Sequence, residues 1–82
     1  MNFQQKLDAA ENPNTPASLL ETLATDDNFG VCCRVAKNPN TPVSLLETLA
    51  TDEDYYVRYC AAMNPNATEI VKRLYLMTEA NS

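Results

Sequence analysis

The side chains of this chain that could do chemistry are three cysteines, four tyrosines and a set of eleven carboxylates, and there is no histidine. Without imidazole the chain can build neither a Ser-His nor a Cys-His nucleophile pair. Carboxylate pairs such as Asp52 with Asp54 sit where a helix begins, and capping with solvation accounts for them. Cys32, Cys33 and Cys60 offer three thiols and no C-x-x-C spacing. Adjacent residues on a helix diverge by about 100°, which disfavours Cys32 and Cys33 as ligands to one metal ion. The reading is therefore no catalytic residue, no metal ligand and no cofactor.

Two surfaces remain as candidate binding sites. The first is acidic: Asp26 and Asp27, then Asp52, Glu53 and Asp54, lie in two corresponding loops. They could meet a basic protein or stand in for nucleic-acid phosphates. The second is a stripe on the helix that follows the second loop. With Val57, Ala61 and Ala62 facing inward, Tyr56, Tyr59, Cys60 and Met63 fall together on the opposite side. The corresponding set one helix pair earlier is Gly30, Cys33, Arg34 and Lys37. Tyrosine and methionine are enriched at the centres of protein interfaces. The residues expected to bind a partner are Tyr56, Tyr59, Arg58, Met63, Cys33 and Arg34.

An internal repeat positions both surfaces. Asn12–Lys37 and Asn38–Met63 align over 26 positions, of which sixteen are identical, fourteen of them within the first fifteen. A third copy begins at Asn64 and lacks Thr-Pro. Each copy reads as two short helices. Thr15 and Thr41 suit the N-cap of the first, with Pro16 and Pro42 at its first position. Leu19, Leu20 and Leu23, and then Leu45, Leu46 and Leu49, share its buried face. The second helix runs from about Asn28 to Lys37 and from about Asp54 to Met63. Val31, Val35 and Ala36, matched by Val57, Ala61 and Ala62, face inward. Asn38-Pro39 and Asn64-Pro65 stop it, and asparagine there suits a left-handed cap. Residues 2–11 align as a second helix without its first, and residues 64–78 as a partial repeat. In that last copy Ile70, Val71 and Leu74 carry the leucine spacing, and Asn66 with Glu69 suits a capping box. The fold class is all-α: a single domain over residues 1–82, a helical-repeat solenoid of about 2.5 repeats, in which stacking buries faces that no single repeat can cover.

The formal net charge of −5 argues against direct nucleic-acid binding and against an anionic membrane surface. Lys72 and Arg73 are the only adjacent basic pair. There is no spanning apolar run and no leader-like N-terminus, so a cytoplasmic location with free thiols is expected. Asn66-Ala67-Thr68 is then a chance match to a glycosylation acceptor. Met1 and the polar ending Asn81-Ser82 are those expected of a complete chain.

The run from Val31 through Val35, Ala36, Asn38-Pro39-Asn40-Thr41-Pro42, Leu45, Leu46, Leu49, Ala50 and Asp52 resembles the variant leucine-rich repeat. The pattern resumes at Val57, Arg58, Ala62 and Asn64-Pro65-Asn66. The resemblance implies a curved, right-handed stack related to HEAT-like α-solenoids, and it carries no catalytic residue. Cys32 stands where the family pattern has arginine. The functional expectation is a non-enzymatic adaptor that binds another protein through the outward face of the second helices. An acidic decoy for a basic or nucleic-acid-binding surface is the alternative. Self-assembly into a homo-oligomer through the ends of the array is the third reading.

Overall fold

Among the described residues six helices form, because apolar faces recur at helical spacing and polar turns interrupt them every few residues. The computed structural model describes residues 1–80, so Asn81 and Ser82 lie outside it. The helices are α1 (Phe3–Glu11), α2 (Ala17–Leu23), α3 (Phe29–Lys37), α4 (Val43–Leu49), α5 (Tyr55–Met63) and α6 (Glu69–Ala80). There is no strand among the described residues. Phe3, Phe29 and Tyr55 open α1, α3 and α5 at equal intervals of 26 residues. These three helices pack side by side with α3 in the middle, while α2, α4 and α6 flank them. The molecule measures 36 × 21 × 15 Å.

The core is one continuous cluster. Leu20, Leu46 and Val71 are fully buried in α2, α4 and α6, and Ala10, Val31, Val35, Ala36, Val57 and Ala61 are fully buried in α1, α3 and α5. Leu19 and Leu45 are only half-buried, and Ile70 is exposed. The first leucine of each Leu-Leu pair is thus the outer one, because one helix contacts the core through a single side. Helices of seven to nine residues are marginal alone, so this shared core is what holds them.

The turns between helices work differently from the sequence expectation. Thr15 and Thr41 do not cap the helices that follow them. Each points back: Thr15 Oγ1 donates to Ala9 O and Thr41 Oγ1 to Val35 O, both at 2.6 Å. Thr15 closes Ala9 O at the end of α1, and Thr41 adds a second donor to Val35 O, which also accepts from Asn38 N at 3.1 Å. Pro16 and Pro42 are themselves the N-cap residues, with extended ψ of 151° and 154°. Asn66 does not form the expected capping box. Its amide donates to Pro39 O, and the α6 N-terminus is held by Thr68 Oγ1, 3.4 Å from Val71 N. The expected left-handed cap is absent too: Asn38 and Asn64 have φ of −66° and −62°.

What Asn38 and Asn64 do instead joins the successive turns. The Asn38 side-chain amide donates to Ala10 O at 2.7 Å and Asn12 O at 2.9 Å, while its Oδ1 accepts from Asn40 N at 2.8 Å. Asn64 repeats this set with Ala36 O at 2.7 Å, Asn38 O at 2.9 Å and Asn66 N at 2.8 Å. Both side chains are buried. Every polar atom of the two amides used here has a partner, so their desolvation is offset.

Replacing Asn64 with alanine would strand the buried Ala36 O and free Asn66 N, while Asn38 O keeps its bond from Thr41 N, at about 1–3 kcal/mol of stability. Asn64→Asp should cost more at neutral pH, since a carboxylate facing Ala36 O and Asn38 O has no proton to donate. Urea denaturation of the two variants against wild type measures both effects.

Candidate functional site

Helices α1, α3 and α5 expose side chains on the side away from α2 and α4, and these frame a groove. Asn28 starts α3 by accepting from Gly30 N at 2.8 Å, and Asp54 starts α5 by accepting from Tyr56 N at 2.8 Å and Val57 N at 3.2 Å. These caps set the helix phase. Gly30, Cys33, Arg34 and Lys37 of α3 then line a groove of about 460 Å³ with Glu11, Phe29 and Tyr56. A Cβ on Gly30 would stand 2.8 Å from Asn28 Oδ1, so glycine both leaves the groove open and makes room for the cap.

The charged groups in the groove are oriented by short contacts. Arg34 Nε lies 2.7 Å from Glu11 Oε1, and Nη1 donates to Gly30 O at 3.1 Å. Lys37 Nζ donates to Tyr56 OH at 3.1 Å and sits 5.1 Å from the Tyr56 ring centre. That hydrogen bond is the main cause raising the Lys37 ammonium above its usual 10.5.

The tyrosines continue the surface beyond the groove. Tyr59 stacks with both Tyr55 and Tyr56 at centroid distances of 6.3 Å, and meets the Tyr75 ring edge-on at 6.4 Å. Such pairings add modestly to area burial and hold the rings in place. Tyr75 is pushed up to about 12, first by its hydrogen bond with Tyr55 and then by burial. Tyr55, Tyr56, Tyr59 and Met63 are exposed by 53%, 44%, 41% and 59%, so the patch lies open to solvent.

The structure brings together Tyr56, Cys33 and Arg34 of the expected binding residues, with Tyr59 and Met63 on the same open side of α5. It removes others from the surface. Arg58, expected to face outward, is buried: Nε lies 2.9 Å from Glu79 Oε1, and Nη1 donates to Asp52 O at 2.7 Å and Glu53 O at 3.0 Å. Cys60, placed on the outward stripe by the helical wheel, is buried, and Cys33 shows only its edge to the groove. The physical reason is that α3 has neighbours on both flanks and α5 has α3 on one and α6 on the other. Each therefore buries a wider arc than a one-sided amphipathic helix. Phe29 and Tyr55, which repeat the position of Phe3, lie outside the expected set, and Tyr75 of α6 packs edge-on against Tyr59.

The acidic residues form the other candidate surface. Asp26 Oδ2 lies 2.6 Å from Lys6 Nζ, and its Oδ1 accepts from Asn28 N at 2.9 Å. The Lys6 bond, then the Asn28 bond, hold the Asp26 carboxyl below its usual 3.8. Asp52 Oδ1 accepts from Asp54 N at 2.9 Å, the same turn one repeat on. The three thiols are free and buried. Burial pushes all three up, Cys33 to about 12, so none is primed as a thiolate. Among the described residues no group of three His, Cys, Asp or Glu side chains is arranged to hold a metal ion. No helix there is long and apolar enough to cross a membrane.

Two outcomes follow from these shifts. The thiols should react with an aromatic disulfide reagent only as fast as the fold opens, and at once in denaturant. A thiol modified at the rate of a free cysteine in the native chain would contradict the burial. For Asp26 the folded pKa is depressed, so its pairing with Lys6 supports the fold above 3.8 and is lost as pH falls through the lower folded value. Lys6→Met should raise the Asp26 pKa, read by carboxyl NMR titration, and flatten the acid limb of the stability curve. Compared with models of protein families, with curated proteins and with solved structures, the chain matches none.

Proposed function

We propose that the chain is a non-enzymatic protein-interaction module that binds its partner along the open side of α3 and α5. The observation that carries this reading is the tyrosine patch of α5, continuous with the Gly30–Tyr56 groove of α3 and open to solvent. Rigid aromatic rings flanked by Arg34, Lys37 and Met63 offer the mix of apolar area and oriented donors on which interface hot spots are built. The rings are already held by one another and by Lys37, so little side-chain freedom is lost on binding. The architecture we infer is a short right-handed solenoid of about two and a half 26-residue repeats, related to the variant leucine-rich repeat. The equal spacing of α1, α3 and α5 and the asparagine bonds that span 26 and 28 residues support it.

Self-association through the ends of the array is the weaker reading. Tyr75 and Glu79 of α6 lie against Tyr59 and Arg58, so α6 covers the flank of α5 where a further helix would stack.

The test is affinity capture from nuclease-treated native lysate, comparing wild type with Tyr56→Ala/Tyr59→Ala. A protein retained by wild type and lost by the variant is expected. Titration of the purified pair should then show a loss of about tenfold or more, the usual cost of removing an interface anchor. Equal retention by a variant of unchanged helicity would clear the tyrosine patch.

A further inference from the structure

Helices α1, α3 and α5 each aim one side chain at the carbonyls and carboxylates of the loops beside their N-terminal ends. In α1 this is Lys6, paired with Asp26 Oδ2 at 2.6 Å. In α5 it is Arg58, which reaches Asp52 O, Glu53 O and Glu79, with its guanidinium 5.8 Å from the Tyr55 ring centre. The middle position, in α3, is Cys32. Its thiol reaches Asp26 O at 3.3 Å and Ala24 O at 3.4 Å, a weak version of the Arg58 bonds. Two of three equivalent positions thus hold an internal cation, and the one between them does not.

The consequence is a cleft most of whose carboxylates have no salt-bridge partner among the described residues, although Arg58 Nη1 donates to the backbone carbonyls of Asp52 and Glu53. Asp52 is the counterpart of Asp26, and each spends one oxygen on its own turn at 2.9 Å. The second oxygen of Asp26 takes Lys6. No salt bridge among the described residues engages Asp52, Glu53, Asp54 or Asp27. Over Cys32 these residues bound an opening of about 550 Å³, and the exposed Phe29 ring stands at its edge. Phe29 is the counterpart of Tyr55, the ring that faces the Arg58 guanidinium one repeat later.

We propose that this cleft receives an arginine side chain from a basic segment of a partner protein. The repeat that follows supplies the template: a guanidinium held by loop carbonyls, a carboxylate and an aromatic face. Here the carbonyls of the Asp26 turn, the carboxylates of the Asp52 loop and the Phe29 ring offer the same set. The planar fork of arginine matches carbonyl and carboxylate acceptors together and stacks on a ring, which an ammonium does less well. A net charge of −5 steers a basic segment toward the surface. The cleft lies on the other side of Phe29 from the tyrosine groove, and its occupancy does not depend on that groove.

The experiment is an NMR titration of the isotopically labelled chain with the peptide acetyl-Gly-Arg-Gly-Arg-Gly-amide. Its citrulline counterpart, equal in shape and neutral, and its lysine counterpart are the controls. Saturable amide shifts centred on Asp26, Asp27, Cys32 and the Asp52–Asp54 loop are expected with arginine, weaker ones with lysine and none with citrulline. Cys32→Lys and Cys32→Arg restore the internal cation, so they should keep or raise the melting temperature and weaken peptide binding about tenfold or more. Asp27→Asn/Glu53→Gln removes two charges whose side chains make no hydrogen bond in the fold, and it should weaken binding while folding normally. That variant decides the matter if both Cys32 variants fail to fold. Equal binding by the citrulline peptide, undiminished binding to a folded Cys32→Lys chain, or shifts spread equally to Glu21 and Glu47 would overturn the proposal. A lysine peptide that binds as tightly would overturn the assignment to arginine.

Discussion

The buried amides of Asn38 and Asn64 are the constraint on which the arrangement of the helices depends. Each ties its own turn to the turn before it through two donated bonds and braces its own turn through one accepted bond. Apolar packing between α1, α3 and α5 is non-directional and would tolerate sliding. Directional bonds to particular carbonyls do not. A shift of one residue would leave a buried amide facing the wrong groups, at a cost comparable to a sizeable part of the stability of so small a domain. The inter-turn bonds therefore set the register, and the leucines and valines supply the driving force. Thr15 and Thr41 add to this by closing the carbonyl ends of the helices behind them.

With the register set this way, α3 and α5 can differ without disturbing the packing of α1, α3 and α5. The turn and first-helix residues of the two copies are nearly identical, whereas the second helices diverge. Some divergence is on the open side, where Gly30 and Lys37 correspond to Tyr56 and Met63. Some is internal, where Cys32 corresponds to Arg58. The first kind shapes a groove with an aromatic wall. The second leaves the carboxylates of the Asp52–Asp54 loop without a salt bridge among the described residues, while Asp26 pairs with Lys6 and Glu79 of α6 with Arg58. Both candidate surfaces thus arise from the same source: near-identical turns and first helices in the sequence, with most of the substitutions falling in α3 and α5.

Part of the candidate site is legible in the amino-acid sequence. Tyr56, Tyr59 and Met63 are exposed as helical spacing implies, because an exposed arc opposite a buried one is a local property of one helix. Arg58, Cys60 and Cys33 are not legible in this way, because their burial is set by neighbours on the flanks of α5 and α3. A wheel drawn for one helix has an inside and an outside but no flanks. The turn chemistry departs from expectation for a related reason. Local capping accounts for the residue types Asn, Thr and Pro in the turns. Their partners, however, lie in the preceding turn or helix, which only the folded chain brings within reach.

The sequence by itself determined the six helices, their order and the five polar turns, since hydrophobic spacing and proline placement act over a few residues. It also determined that Val31, Val35, Val57 and Ala61 face the core, and that histidine chemistry is excluded. Only the tertiary structure decided where the buried polar groups point. Hydrogen bonds from Asn38 and Asn64 span 26 and 28 residues, and the Arg58–Glu79 pair spans 21. No pattern within a single helix encodes such distances. It likewise decided that Lys6, Cys32 and Arg58 occupy one equivalent position beside successive loops, because only stacking gives a repeated position a repeated environment.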